Sequence, residues 1–599
     1  MHIIKRYISF GETTVYLVTF CLLLIYGCAS TGQPSGGPRD EDPPVLLSSV
    51  PEEGALGFTE DVIVLKFDEL VELDNIFQKL MVSPPVNEQP TVTARADEVH
   101  IEFNEELQSN TTYTIDFADA IRDVNEGNVL HDFRFSFSTG EEIDSLSVSG
   151  FLFDARTLEP VEGALVMVHT NLADSAFQTL VPVRVTKTNP QGEFRIQNMA
   201  EGDYRLYALE DQNRNFIYDM PEERIAFHPE LISPYIGTRE VIDSISSDSV
   251  RIYQEEAYLP DSINLYMYSE EGYEQYVKEL ERTRRRRIDI EFNAPLEEKP
   301  LIELIDNDRD DWFVLERSLN YDSLTLWLTD TTLIGKDSLL MSLEYPYLDS
   351  LEEVSYRRDT INAYYFETRE SRLAQEKEDE EEFPPFNFSG PGSSLHFTSE
   401  LVLQFPTPVK ELDSTKISLY EVVNDSVKHD VPFKLLKDSL TSRNYRVDFE
   451  REAGTSYSIE ADSAAFKGLY REISRSYRRA FEIPSLDSYG TFYVRIDNPE
   501  EKWLIELLNS SEEVVRSMPV PENGRVAFRY LQPANYYLRI VDDQNENGRW
   551  DPGNFMKGVE PEKVIYFPDR LNIRSNWERV IDWNPAEFDV HDFVERNRR

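Results

Sequence analysis

Cysteine is almost absent from this 599-residue chain, which holds only Cys21 and Cys28, so at most one disulfide could form. Histidine is scarce as well, eight residues scattered without metal-ligand spacing. Basic residues are few beside acidic ones: 60 Lys and Arg face 111 Asp and Glu, a formal net charge of −51. Such a surface repels a phosphate backbone and excludes nucleic-acid binding as a main activity. The apolar run Val15–Ile25 has eleven residues, too few for the roughly 20 of a membrane-spanning helix. There is no G-x-S-x-G, no H-E-x-x-H, no glycine-rich phosphate loop and no C-x-x-C, so the common nucleophile, zinc and nucleotide chemistries have no anchor. A glycosidase needs only two carboxylates, which leaves a carbohydrate-acting enzyme as the remaining catalytic reading.

What is present begins with "MHIIKRYISFGETTVYLVTFCLLLIYGCAS". Lys5 and Arg6 precede the short apolar run, as in a secretory signal. The run ends in Ile25-Tyr26-Gly27-Cys28, which resembles the bacterial lipobox, with Tyr26 bulkier than the usual residue at that place. The resemblance implies a signal peptide over 1–27, cleavage before Cys28, palmitate-type acylation of Cys28 and anchoring to the outer membrane of a cell envelope. Cys21 would leave with the signal, so a disulfide-free exported protein must be stabilised by its cores alone. Residues 28–43, rich in Gly, Pro and Ser, read as a flexible tether.

From Pro44 onward the chain is written in short alternating strands. "DVIVLKFDELVEL" puts Ile63, Leu65 and Phe67 on one face. "RIDIEFNAPLEE" repeats this with Ile288, Ile290 and Phe292, and "ELVLQFPTPVKEL" with Leu401, Leu403 and Phe405. The expected fold is all-β: tandem β-sandwich modules, Ig-like and prealbumin-like, joined by short helical or charged linkers. "PPVLLSSVPEEGA", "TTYTIDF" and "FSFSTG" resemble the bacterial Ig-like domains of surface-layer proteins. The stretch from Cys28 to "VPEEGA" resembles a family of Bacteroidetes lipoproteins. Ig-like sandwiches are expected over 44–140, 287–368 and 395–485.

A second module type alternates with the first. "SVSGFLFDARTLEPVEGALVMVHT" resembles the carboxypeptidase regulatory-like domain, a prealbumin-type sandwich, expected over 145–255 and again over 486–585. "NPQGEFRIQNMAEGDYRLYALEDQNRNFIYD" matches "PENGRVAFRYLQPANYYLRIVDDQNENGRWD" without a gap at a constant offset of 332 residues, which marks a duplication. Residues 256–286 read as a linker with a helix, because Tyr273, Tyr276, Val277 and Leu280 fall at helical spacing, with Arg late. Its arginines, 284–287, suit the chain's own acidic surface, an acidic lipid or another subunit. Residues 369–394 read as a charged and Pro/Gly-rich linker, and 586–599 as a loosely held tail.

The duplicated text carries Asp-x-Asn-x-Asn-x-x-x-Asp twice. Calcium needs oxygens at alternating loop positions: Asp211, Asn213, Asn215, the Ile217 backbone, Asp219 and Glu222 in one copy, Asp543, Asn545, Asn547 and Asp551 in the other. Phe216 stands where an EF-hand has glycine, and Asn554 where it has its last acid. Asp and Asn also cap their own backbone at hairpin ends, so calcium ligation and turn chemistry both stay open. The functional expectation is a non-enzymatic, lipid-anchored rod of five sandwiches, stacked end to end, that displays loops and strand edges to a protein or glycan. The alternative is a periplasm-facing assembly subunit of an envelope machine.

Overall fold

The computed structural model describes residues 40–597 apart from 221, 247–248, 271–274, 297, 306–310, 349–353, 367–382 and 425–426. The signal sequence, Cys28 and nearly all of the tether therefore lie outside the described residues. The chain divides into two units, Met1–Asp144 and Ser145–Arg599. Among the described residues no helix is long and apolar enough to cross a membrane.

In the first unit, strands Leu46–Val50, Val62–Phe67, Glu98–Glu102 and Thr91–Arg95 form one sheet, with Val62–Phe67 and Glu98–Glu102 at its centre. Two three-stranded sheets face it. Ile63, Leu65 and Phe67 are fully buried, while Val62, Val64 and Lys66 between them are half-buried. The period-two pattern thus decides which side meets the core. Each such side chain contributes about 1.5–3 kcal/mol by leaving water. Burial pushes the Asp123 carboxyl up, but backbone N–H groups of Glu126, Gly127 and Asn128 at 2.6, 3.0 and 2.7 Å outweigh it and hold it below the usual range.

The second unit holds four sandwiches, two of them copies of one design. In the first copy Leu146–Asp154 lies between Glu193–Met199 and Ile263–Met267, against a sheet ordered Arg184–Lys187, Leu165–His169, Arg205–Leu209, Ile225–Phe227. In the second, Gly490–Ile496 lies between Arg525–Leu531 and Glu578–Trp583, against Val514–Pro519, Trp503–Leu508, Ala534–Asp542, Val564–Tyr566. Both pair their first and last strands in parallel. Aligned residues repeat local detail as well. The Tyr204 hydroxyl donates to the Ala200 carbonyl at 3.0 Å and that of Tyr536 to Gln532 at 2.9 Å. Gly192 and Gly524 have φ +73 and +63, and a Cβ there would meet the carbonyls of Leu152 and Ile496 at 2.6 and 2.2 Å. Only glycine fits both the turn and the approach. The duplication read from the sequence is therefore a duplication of fold.

Between the copies, the middle sandwich sets Val277–Arg284, Arg287–Phe292, Ser323–Leu328 and Phe313–Arg317 against Leu301–Leu304, Ser338–Leu348 and Val354–Tyr364. The next sandwich repeats the first unit's three-sheet plan. Its Tyr457 hydroxyl accepts from Glu452 N at 2.9 Å, as Tyr113 in the first unit accepts from Gln108 N at 2.9 Å.

Several expectations are corrected. In the linker 256–286 expected to carry a helix, Val277 and Leu280 lie instead in the strand Val277–Arg284, paired antiparallel to Arg287–Phe292, and Tyr273 lies outside the described residues. Hydrogen bonding to a neighbouring strand overrides a helical spacing that only local propensity supported. Ile263–Met267, placed in the same linker, is a strand of the first duplicated module. Phe386 and Phe388, placed in the charged linker, belong to the core of the sandwich that follows; residues 369–382 of that linker lie outside the described residues. The tail forms a helix, Val590–Asn597, whose Val590, Phe593 and Val594 are docked by apolar contact.

End-to-end stacking does not hold within the second unit either. Strand Phe313–Arg317 of the middle sandwich supplies Glu316, whose carboxylate accepts from Ser442 Oγ at 2.7 Å and from Arg443 N and Nε at 3.0 and 2.9 Å. His396 Nε2 lies 2.9 Å from the Tyr530 carbonyl, joining the fourth sandwich of the chain to the second duplicated module. The two duplicated modules then meet each other, so the four sandwiches close a circuit. Apolar surface on non-adjacent modules is buried by closure that a linear string would leave wet. The arginine run serves the same unit: Arg285 pairs with Asp337 at 2.9 Å, Arg287 with Asp289 at 2.8 Å, and Arg286 lies over the Tyr470 ring.

Candidate functional site

The two Asp/Asn loops leave equivalent strand ends, so their geometry is compared atom by atom. In the first loop Asp211 accepts from Arg214 N at 2.6 Å and Phe216 N at 2.9 Å. Asn213 and Asn215 accept from the N–H groups two residues on, and both amides donate to Asp219, at 3.0 and 2.7 Å. In the second, Asp543 accepts from Asn547 N at 3.0 Å and Gly548 N at 2.8 Å, while Asn545 and Asn547 both donate to Asp551. Phe216 takes φ 61 where Gly548 takes φ 79, so the missing glycine does not change the path of the chain. Turn chemistry accounts for the Asp and Asn pattern in both copies.

The expected twelfth-position ligand, Glu222, is exposed; only its carbonyl takes part, accepting from the Gln212 amide at 3.2 Å. The acid that closes the loop is the next residue. Buried Glu223 accepts from Gln212 N at 3.0 Å, and burial raises its pKa above the usual range. In the second copy Glu562 does the same for Gln544 N at 2.8 Å and Asp551 N at 3.1 Å, its pKa likewise raised by burial. Both acids stand two residues before the next strand, Ile225–Phe227 or Val564–Tyr566; counting back from that strand would have found them. Among the described residues no group of three or more His, Cys, Asp or Glu is placed to hold a metal ion.

The second loop reaches further than the first. After it, Phe555 enters the first duplicated module and meets the rings of Phe177, Tyr207, Tyr218 and Phe227 at 5.3 to 6.2 Å. Phe555 N donates to Glu270 Oε1 at 2.5 Å, and Glu270 also accepts from the Tyr218 hydroxyl at 2.7 Å. Gly553 lets the strap pass, since a Cβ there would lie 2.6 Å from the Tyr268 ring. Beside this hook, Phe153 and Leu158 join Leu504, Leu508, Val541 and Val564 in one apolar cluster. Buried Arg539 binds Glu506 at 2.6 Å and reaches the Arg156 carbonyl of the other module at 3.1 Å.

The opposite side of the same loop forms part of a cavity of about 870 Å³. Asn545, Asn547 and Asp551 line one wall, and Pro295, Asn320 and Tyr347 of the middle sandwich the other. That volume lies within the range of small-ligand sites, about 300–1,000 Å³. Asp211, Asn213, Asn215 and Asp219 do not border it. The structure thus brings three of the four second-loop residues to a cavity and leaves the first loop on its own module.

Residues 40–139 match the bacterial Ig-like domain family. No curated protein matches the chain. Among solved structures, BcpA, the major pilin subunit of Bacillus cereus, is similar at 9% identity over 74% of this chain and 99% of that one, with a TM-score of 0.14. The Bacillus anthracis TIE protein is 9% identical over 92% and 76%, TM-score 0.12. The BSP domain of a biofilm-associated protein is 9% identical over 86% and 96%, TM-score 0.14. Scores this low establish no common arrangement of modules.

Proposed function

We propose that the chain is a non-enzymatic protein of the cell envelope, anchored through lipid on Cys28, whose β-sandwiches form a scaffold that presents a binding surface to a protein or glycan. The observation that carries the scaffold reading is the use made of buried polar groups between modules. Glu316, Glu506 and Arg539 hold one sandwich to another or brace the surface where two of them meet. Groups spent in this way rigidify the structure and fix the geometry of the modules they join. The anchor rests on the short apolar run and the Ile25-Tyr26-Gly27-Cys28 sequence. Two or three acyl chains would hold the protein firmly, where one would be marginal.

A periplasm-facing assembly subunit is the second reading, and the closed circuit of the second unit favours it over a surface rod. A closed unit trades reach for rigidity. Two experiments test these readings. Labelled palmitate should enter the wild type and not Cys28→Ala, and label in neither would end the anchor. Protease added to intact cells should shave a surface-displayed protein and spare one facing the periplasm.

A further inference from the structure

The cavity between the middle sandwich and the second duplicated module has walls of a particular chemistry. On one side stand Asn545 and Asn547. Each gives one amide hydrogen to Asp551, and each carbonyl oxygen accepts one backbone N–H, from Asn547 and Arg549 respectively. An amide has two donor hydrogens and two acceptor lone pairs, so each keeps one of both after the loop has used its share. On the other side, the Asn320 amide and the Tyr347 hydroxyl make no hydrogen bond with other described residues. Proline rings, Pro295 among them, add flat apolar surface.

We propose that this cavity binds an oligosaccharide. A sugar hydroxyl both donates and accepts, and paired donors and acceptors on Asn320, Asn545 and Asn547 complement it. The C–H faces of a sugar ring need flat, weakly polar surface, which Tyr347 and the prolines supply. The loop amides are already fixed by their internal bonds, so little side-chain entropy is lost on binding. Other ligands fit less well. A polyanion meets a chain of net charge −51. A bare cation would compete with the two amides and with Arg549, whose Nε lies 3.1 Å from Asp551. A peptide added as a strand needs an unpaired edge along the cavity, whereas this wall is built from turns and strand ends.

The proposal deepens the scaffold reading above and rests on its display of a binding surface. Saturation-transfer NMR on the detergent-solubilised full chain would use maltotetraose, cellotetraose and the tetramer of β-1,4-linked N-acetylglucosamine as probes. At least one should bind, and Asn320→Ala and Tyr347→Ala should each weaken it by about tenfold or more, the loss of roughly one hydrogen bond or ring contact. Neither side chain belongs to the core of the middle sandwich, so the melting temperature should hold. The proposal is overturned if no probe binds at about 10 mM, ten times a millimolar Kd, if both variants bind as the wild type does, or if a tetraproline peptide binds in place of the sugars. Palmitate labelling of Cys28 reads the anchor independently, so failure of the sugar site and failure of the envelope reading give different results.

Discussion

The two duplicated modules carry equivalent sheet faces that differ in chemistry and take different partners from the other module. Strand pairing makes Met167, Tyr207 and Phe227 of the first module the counterparts of Glu506, Arg539 and Tyr566 in the second. The first face is apolar and aromatic and receives Phe555. The second sets an ion pair, 1% and 5% exposed, among Leu504, Leu508 and Val541, and receives a carbonyl. The connections differ as well. The strands that run into the loops, Arg205–Leu209 and its counterpart within Ala534–Asp542, are offset by 332 residues, whereas Ile225–Phe227 and Val564–Tyr566 are offset by 339, so the second copy carries seven extra residues between them. The extra length falls in the strap that delivers Phe555. One fold, copied, thus uses the same face in two ways: the first copy's face receives the strap residue Phe555, and the second copy's face receives Phe153, Leu158 and the Arg156 carbonyl from the other sheet and turn of the first.

The comparison is broken most severely at the ion pair. Glu506→Ala leaves Arg539 charged, buried and without its carboxylate, and removing one partner of such a pair costs about 3–5 kcal/mol. Denaturant melts of the second unit should show that loss. A loss below about 1 kcal/mol, the worth of an exposed pair, would mean water reaches the pair. On the other face, Phe555→Ala empties the aromatic pocket. The expected loss is up to about 3 kcal/mol, at the low end of the core range because the strap can relax. Proteolysis between residues 551 and 562 should become faster, and an unchanged cleavage rate would show that the hook does not hold the modules together.

The faces also differ in response to pH. His169 lies on the aromatic face, its ring 5.7 Å from that of Tyr207, and neither its Nε2 nor the Tyr207 hydroxyl has a hydrogen-bond partner among the described residues. Burial lowers the His169 pKa to about 4 from an ordinary 6.5. Its folded pKa being the lower one, the stability tied to the neutral ring is whole above pH 6.5 and is lost as pH falls toward 4. That span corresponds to roughly 3 kcal/mol at most. His169→Gln should flatten the wild-type slope over this window, and equal slopes would place the ring in contact with water. The half-buried Glu562, raised by burial, works in the opposite direction, so the difference between variant and wild type is the quantity to read. The smallest effect is expected from calcium. Millimolar calcium should leave the melting temperature unchanged, and a rise would return the metal reading to both loops.

Much of this was legible beforehand. The alternation in "VIVLKF", "RIDIEF" and "ELVLQF" names the buried residues of three sandwiches, since a strand's side chains must face opposite ways. The duplicated text predicts two modules with one strand order. The loops were legible as loops, but the register of their closing acid was not. Counting forward as in an EF-hand reached Glu222, while Glu223 is the residue that turns inward.

By itself, then, the sequence determined the all-β class, the repetition of a module, the inward faces of its strands and the place of its two Asp/Asn loops. These depend on period and on neighbours a few residues apart. Only the tertiary structure decided that residues 277–284 are a strand, that the tail docks, that Phe555 has a pocket and that Asn545 faces Asn320 across a cavity. Such contacts join surfaces far apart in the chain. Nothing local distinguishes an aromatic that will insert into another module from one that stays in its own.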